Sequence, residues 1–463
     1  MDSYCDVLVA GGGNAALCAA IAARRRGARV TLVERASREW RGGNSKYTRN
    51  VRVAHDPGDA LMPGEYTDEE LLQDLAEVTG PGSDPELARM IVARSRSLPS
   101  WMTANGVRWQ PPLHGTLQLS RTNRFFLGGG KALLNGYYRL AASLGVKIAY
   151  GGTVTELSLE GGRCAGAVVA GEEGPEQVRA RALVVATGGF EANLDWLRRY
   201  HGDRVDGFVV RGSACNDGLL LRHLLDRGAM ARGAPAGFHA VAVDARSPRF
   251  EGGIVTRVDS VPFSIMVNRE GRRFADEGED LWPKRYATWG GLVAEQPGQR
   301  AFSIFDSRVV GSFIAGAYPP LVANSIEELA VATGLPRSPL LETVAAYNRS
   351  LSGGGAYDPA RLDGCATSGL TPPKSHWALP IDRPPYYCFE LVPGITFTYL
   401  GVAVDACARV LRQGGEPFEN VFAAGEIMAG NVLLRGYLAG FGMTIGTVSG
   451  ILAGEQAASH ALD

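Results

Sequence analysis

The turn Gly11-Gly12-Gly13-Asn14-Ala15-Ala16 constrains this chain more than any other stretch, because of what stands on either side of it. It follows directly on the apolar run CDVLVA (5–10), opens the alanine-rich stretch 15–26, and is succeeded by a second apolar run, RVTLVE (29–34). Strand, tight turn, helix and strand in that order make a βαβ unit. The turn fits G-x-G-x-x-G/A: Gly11 permits the sharp bend, Gly13 lets the backbone approach a pyrophosphate, and Ala16 allows helix and strand to pack closely. The amino terminus of the helix offers backbone N–H groups and positive dipole to an anion. Glu34 closes the second strand, where a carboxylate accepts from a ribose 2′-hydroxyl. An acid there repels a 2′-phosphate, so the expected ligand is a dinucleotide other than NADP. A glycine turn without a ligand would not need the acid.

The rest of the composition narrows the class. A chain of 463 residues, 45% hydrophobic, is long enough for two or three domains. The formal net charge of -1, with no block of like charges, gives nothing to hold nucleic acid or anionic lipid, so small molecules are the expected partners. The seven cysteines are scattered and never spaced C-x-x-C, which argues against a disulfide framework, zinc or an iron–sulfur cluster. No apolar run approaches the roughly 18–20 residues of a membrane span, and no basic region precedes the first strand. A cytoplasmic protein without a membrane span is the expectation. Only five of the 47 basic residues are lysines. An arginine here is therefore weak evidence of a special role.

Along the chain, 68–105 and 131–144 carry helical spacing, and VKIAY, TVTELSL, CAGAVVA and ALVVATGG (182–189) are short β-rich runs that return to a buried strand. From 238 to 350 the texture is mixed, with strand-like SIMVN and AFSIF and a helix at 325–331. A Gly/Pro-rich connection (352–385) leads to VFAAGE (421–426) and a long small-residue stretch (436–458). The expected division is 1–237, 238–350 for an inserted domain, and 351–463 for a return segment.

The fingerprint alone does not choose between FAD and NAD. Arg41-Gly42-Gly43-Asn44-Ser45, the strand ending in Thr187-Gly188, and VFAAGE do: with them the chain resembles the fumarate reductase/succinate dehydrogenase flavoprotein superfamily. The strings REWRGGNSKYTRN (38–50), LSRTNRFFLGGGKAL (119–133), FHAVAVDARSPRF (238–250), PFSIMVNREGRRFADEGED (262–280) and GEIMAGNVLLRGYLAGFGMTIGT (425–447) resemble its short soluble branch, the FAD-dependent tricarballylate dehydrogenases. The resemblance implies an α/β fold: a Rossmann-like FAD-binding domain of the GR2 type, with a parallel sheet and β-meander, interrupted by an α+β capping domain. It implies that Gly42, Gly43, Asn44 and Ser45 line the flavin side and that Val154 meets adenine through its backbone. Ala186, Thr187 and Gly188 would lie near the adenosine half, with Arg35 and Asp217 also touching the cofactor. Gly425 and Glu426 would meet ribitol or ribose, and Gly442 with the N–H groups of Met443, Thr444 and Ile445 would face the reduced flavin. The segment 42–54 lacks an attachment histidine, His55 being nearest, so FAD is expected to be noncovalent.

The same resemblance implies a dehydrogenase that takes a proton from the carbon beside a carboxylate while the neighbouring carbon gives hydride to flavin N5. His239 matches a substrate-contacting histidine; its alternative is a buried histidine satisfied by a carbonyl. Arg308, shortly after Phe305-Asp306, matches a proton-carrying arginine; its alternative is a surface ion pair, and a free guanidinium does not deprotonate without strong local help. Arg435 would clamp a carboxylate, or form pocket wall, and Tyr437 would supply a phenol or pack. Glu277 matches an acid of a proton path whose arginine partner is Asp280 here. Tyr399 stands in TFTY, where the respiratory enzymes have histidine, and Arg121 and Arg124 are candidates for a further carboxylate. The expected reaction is dehydrogenation or reduction of a C–C bond in a small polycarboxylic acid, with a separate protein, quinone or oxygen as electron acceptor. A ketone or 3-ketosteroid substrate, or a flavin-carrying electron-transfer subunit, are the alternatives.

Overall fold

The computed structural model describes residues 4–113 and 119–463. The strand Tyr4–Ala10 lies at the centre of an eight-stranded sheet, parallel to Val30–Glu34 on one side and Gly174–Val185 on the other. Lys147–Tyr150 extends the sheet beyond Val30–Glu34, and Pro417–Ala423 extends it beyond Gly174–Val185. Residues 5–10 are all buried, which is why they read as a continuous apolar run rather than an alternating one: a central parallel strand is covered on both faces. Thr153–Glu160 and Arg163–Gly171 form the antiparallel meander that leads into Gly174–Val185.

One face of this sheet is covered by two helices, Asn14–Arg25 and Phe441–Leu462. The second is rich in glycine for a steric reason. A Cβ on Gly450 would sit 2.5 Å from the carbonyl oxygen of Ala15, and one on Gly454 2.2 Å from that of Ala19. Residues four apart share a helix face, so Gly446, Gly450 and Gly454 form a groove into which the alanines of the first helix settle. The buried Arg52 ties the same end of the chain down, donating to the Ala439 carbonyl at 3.1 Å and to the Tyr66 hydroxyl at 2.7 Å.

The inserted part is built on a second sheet. Its long strand Tyr386–Thr398 pairs with Phe238–Asp244, Ala301–Asp306, Leu321–Ala323 and Val209–Val210, and Ala301–Asp306 pairs in turn with Ile265–Asn268. Ile326–Thr333 and Arg337–Arg349 pack on it through Leu329, Leu340 and Tyr347. The α/β class with parallel sheet, meander and inserted α+β part is the one expected. A boundary at 351 would cut the second sheet, because Tyr386–Thr398 supplies its longest strand. Proline and glycine between 352 and 385 mark a true irregular stretch, but the chain rejoins the first sheet only at Arg409–Leu411.

Candidate active site

The parallel strands of the first sheet all end on one cleft, the position where open α/β sheets take ligands. Tyr4–Ala10 delivers Gly11 to Asn14, Val30–Glu34 delivers Glu34, Gly174–Val185 delivers Ala186 to Gly188, and Pro417–Ala423 delivers Gly425 and Glu426. The cleft encloses about 1650 Å³ of space, its open mouth included.

Local geometry explains the fingerprint. Gly11 has φ +116°, and a Cβ there would lie 2.2 Å from the Ala186 carbonyl oxygen, so only glycine lets the two loops meet. The helix Asn14–Arg25 has no acidic residue in its first turn to compete with a bound anion. The Glu34 carboxylate is oriented by the backbone N–H groups of Ala36 (2.8 Å) and Gly42 (3.0 Å). Arg35, Gly43, Asn44, Ser45, Val154, Asp217, Gly442 and Met443 also border the cleft, and Arg35 pairs with Asp217 at 2.7 Å across its mouth. These residues fit an FAD. Ala16 and Gly42 stand just behind the lining, Ala16 in the interface between helix and strand. Thr444 and Ile445 do not reach the cleft: the Thr444 hydroxyl is given to the Arg52 carbonyl and Ile445 is in the core. The Met443 N–H is given to the Gly440 carbonyl, and the Gly442 N–H to the Tyr437 hydroxyl at 2.8 Å.

Where the cleft passes under the second sheet it becomes cationic. Arg49, Arg211 and Arg257 converge there with His239, Tyr286 and Tyr437. Arg211 and Arg257 are buried and the Arg49 side chain is 12% exposed. Arg257 and Arg49 share one acid, Asp259, which lies 2.6 Å from the Arg257 Nε and 3.4 Å from an Nη of Arg49, and accepts from the Trp282 indole at 2.8 Å. Burial works against the Asp259 charge, but Arg257 and Arg49 together hold its carboxyl below the usual range. Among the described residues Arg211 has no carboxylate partner and its Nη1 has no partner at all; its Nε donates to the Thr396 hydroxyl at 2.9 Å. Burial and the charge of Arg257 lower both Arg211 and Arg49 to about 10. His239, 3% exposed, lies between two rings, stacked on Tyr437 at 4.3 Å and edge-on to Tyr286 at 5.2 Å. Neither ring nitrogen has a partner among the described residues, and burial followed by the charges of Arg211 and Arg257 holds the imidazole well below its ordinary pKa. It is a neutral hydrogen-bonding group at neutral pH.

The other expected substrate contacts lie elsewhere. Arg308 is at the far end of Ala301–Asp306, bonded to Asp306 (2.9 Å), Asp382 and the Pro380 carbonyl, so the ion-pair alternative describes it. Arg435 is exposed and packs over Gly80, whose lack of a side chain leaves room for it. Arg121 pairs with Glu70, and Arg124 with Asp59 at 3.1 Å. Glu277 is locked in the cap by Arg273 (2.5 Å) and the Met266 N–H (2.7 Å): its arginine stands four residues before it rather than three after. Tyr399 is buried behind Phe397 and donates to the Gly436 carbonyl. Of the expected substrate-side residues, His239 and Tyr437 border the cleft. Arg308→Ala is expected to change kcat/KM by less than about threefold while lowering stability by about 1–3 kcal/mol, the value of a charge-assisted bond, as steady-state kinetics and denaturant melts would show.

Residues 6–442 match the family model described as FAD binding domain. The chain is 27% identical over 473 residues to a probable fumarate reductase of Shewanella frigidimarina, covering 99% of this chain and 75% of the relative. It is 26% identical over 358 residues to a 3-oxosteroid 1-dehydrogenase of Mycobacterium tuberculosis, covering 68% of this chain and 60% of the relative. The solved 3-ketosteroid-Δ4-(5α)-dehydrogenase of Rhodococcus jostii superposes over 99% of this chain and 97% of its own, with a TM-score of 0.74 and 25% identity. With the cleft built as described, the chain belongs to the FAD-binding flavoproteins of the fumarate reductase/succinate dehydrogenase superfamily and is an FAD-dependent oxidoreductase acting on CH–CH groups.

Proposed function

We propose that this protein dehydrogenates, or reduces, a C–C bond next to a carboxylate in a small polycarboxylic acid of the tricarballylate type. One observation carries the reading: three arginines, Arg49, Arg211 and Arg257, meet at this end of the cleft, and among the described residues Asp259 is the one acid paired with them, an excess of two positive charges. A substrate with at least two carboxylates offsets it, and guanidinium groups bind carboxylates in two-pronged fashion. Arg211 and Arg257 hold the carboxylates, and neutral His239 fixes a substrate oxygen by one hydrogen bond. FAD, when bound, supplies the hydride acceptor. The proton goes to Arg211. At a pKa of about 10 its neutral form costs about 4 kcal/mol at neutral pH, well below the cost for a free guanidinium. The local help that an arginine base needs is thus burial and a neighbouring cation, at Arg211 rather than Arg308.

The named fumarate reductase relative supports an acid substrate. The 3-oxosteroid relative and the ring cluster of Phe397, Tyr437 and Tyr286 support a second reading, a cyclic ketone. Anaerobic mixing with tricarballylate, succinate and a 3-ketosteroid separates them by which one bleaches the visible flavin band. Bleaching by the steroid alone would overturn the proposal; bleaching by none would favour an electron-transfer subunit. Reoxidation by a separate protein, a quinone or oxygen belongs to the same proposal, as does a cytoplasmic setting, which the seven free thiols support. Among the described residues no helix is long and apolar enough to cross a membrane.

FAD is proposed to be noncovalent. Both ring nitrogens of His55 are engaged elsewhere, by the Asp56 and Arg121 carbonyls at 2.9 and 2.7 Å. Acid precipitation is expected to release all the flavin into the supernatant. Colour retained in the pellet would contradict it.

A further inference from the structure

Behind the flavin side of the cleft lies a buried acid that no step of this chemistry uses. Glu191 is fully buried. Its Oε1 accepts from the side-chain amides of Asn44 (2.5 Å) and Asn216 (2.8 Å), both of which border the cleft. Its Oε2 has no hydrogen-bond donor among the described residues. Facing it is Glu426, which borders the cleft and accepts from the Thr398 N–H at 2.9 Å. The two carboxyl groups meet over Gly189, where a Cβ would lie 2.3 Å from an oxygen of Glu426 and 2.9 Å from the orphan oxygen of Glu191. Among the described residues no lysine, arginine or histidine forms an ion pair with either. The groups around them are the Asn44 and Asn216 amides, the Thr398 backbone and hydroxyl, and the phenols of Tyr399 and Tyr437 on the Glu426 side.

Two carboxylates are acceptors only, and two acceptors that face each other need a hydrogen between them. We propose that Glu191 and Glu426 hold one proton as a pair, and that through it Glu191 is a positioning residue for FAD, keeping Glu426, Asn44 and Asn216 in the arrangement that binds the cofactor. The inference rests on FAD in the cleft and not on the substrate. Like charges at this distance do not both ionise in a dry site. Burial raises Glu191 to about 7, and burial with the charge of Glu191 raises Glu426 well above the usual carboxylate range. The sign follows. Groups whose folded pKa is raised contribute stability below their ordinary pKa, and that contribution is lost as pH rises through the folded value. The proton lost near neutrality is the second of the pair; the shared one leaves only in the alkaline range, and holding FAD weakens there.

The test is FAD release from the holoenzyme, read by the fluorescence of the freed flavin across a pH series. The wild type is expected to show a dissociation constant that rises in the alkaline range, approaching tenfold per pH unit, the slope for one proton. Glu191→Gln keeps an acceptor for the two asparagines and puts an amide N–H where the carboxyl O–H stood, so its affinity is expected to be flat over the same range. Glu426→Gln is expected to flatten it too, which covers failure of the first variant to fold. The wild type should also show a carboxylic acid C=O band in the infrared that Glu191→Gln lacks. A wild-type affinity independent of pH, a Glu191→Gln slope equal to that of the wild type, or no such band would each overturn the proposal.

Discussion

Arg211→Met is expected to lower kcat/KM for the acid substrate by about a hundredfold to a few thousandfold, with FAD still bound. Methionine keeps most of the volume of the side chain but leaves a substrate carboxylate buried without its cation, a loss of about 3–5 kcal/mol when one partner of a buried pair is removed. Because Arg211 has no acid partner among the described residues, the variant strands no charge of its own, and the loss falls on the substrate complex. Arg211→Lys should recover only part of the rate, because an ammonium cannot keep the Thr396 bond and also present a planar pair of donors. Steady-state kinetics together with the visible flavin spectrum check both. A kcat/KM for Arg211→Met within tenfold of wild type would remove Arg211 from the chemistry.

Gly11→Ala is expected to give a protein with little or no flavin. The residue sits at φ +116°, which costs an alanine about 1–3 kcal/mol. The added methyl also lies 2.2 Å from the Ala186 carbonyl oxygen, a backbone atom that yields only if the loop moves, for about 1–3 kcal/mol more. Against a total stability of about 5–15 kcal/mol this is a large fraction. The loop forced aside is the one that carries Thr187 and Gly188, so cofactor binding fails before the fold does. The ratio of flavin to protein absorbance and the melting temperature measure it, and a full complement of FAD would contradict it.

How much was legible in the sequence differs between the two ends of the cleft. The dinucleotide end comes from local rules: a turn that needs glycine at Gly11, a strand that ends on Glu34, a helix whose first turn follows at once. Each can be read from neighbouring residues, and the structure gathers Gly11, Gly13, Asn14, Ala15, Glu34, Asn44, Ala186 and Glu426 around one cleft. The substrate end comes from far-apart positions. Arg49, Arg211 and Arg257 share no spacing, and in a chain with so many arginines none of them stands out; only the pairing of strands brings them together. Arg308 and Arg435 stood near recognisable strings, yet their side chains turn to Asp306 and to Gly80. The one local signal that was present is Asp259, an acid two residues after Arg257, and it acquires meaning only once Arg49 is seen beside it. Glu191 was hidden for the same reason, since its partners Asn44, Asn216 and Glu426 come from three separate segments.

The glycine groove of the helix Phe441–Leu462 has a consequence for biosynthesis. The face of Ala15 and Ala19 that fits this groove is translated well before its counterpart at Gly450 and Gly454. Throughout elongation the first βαβ unit stands with one apolar side uncovered, and the cleft lacks the wall formed by Gly425, Glu426 and Met443. FAD capture is thereby tied to synthesis of the segment that supplies this wall, however well the first sheet has paired before it.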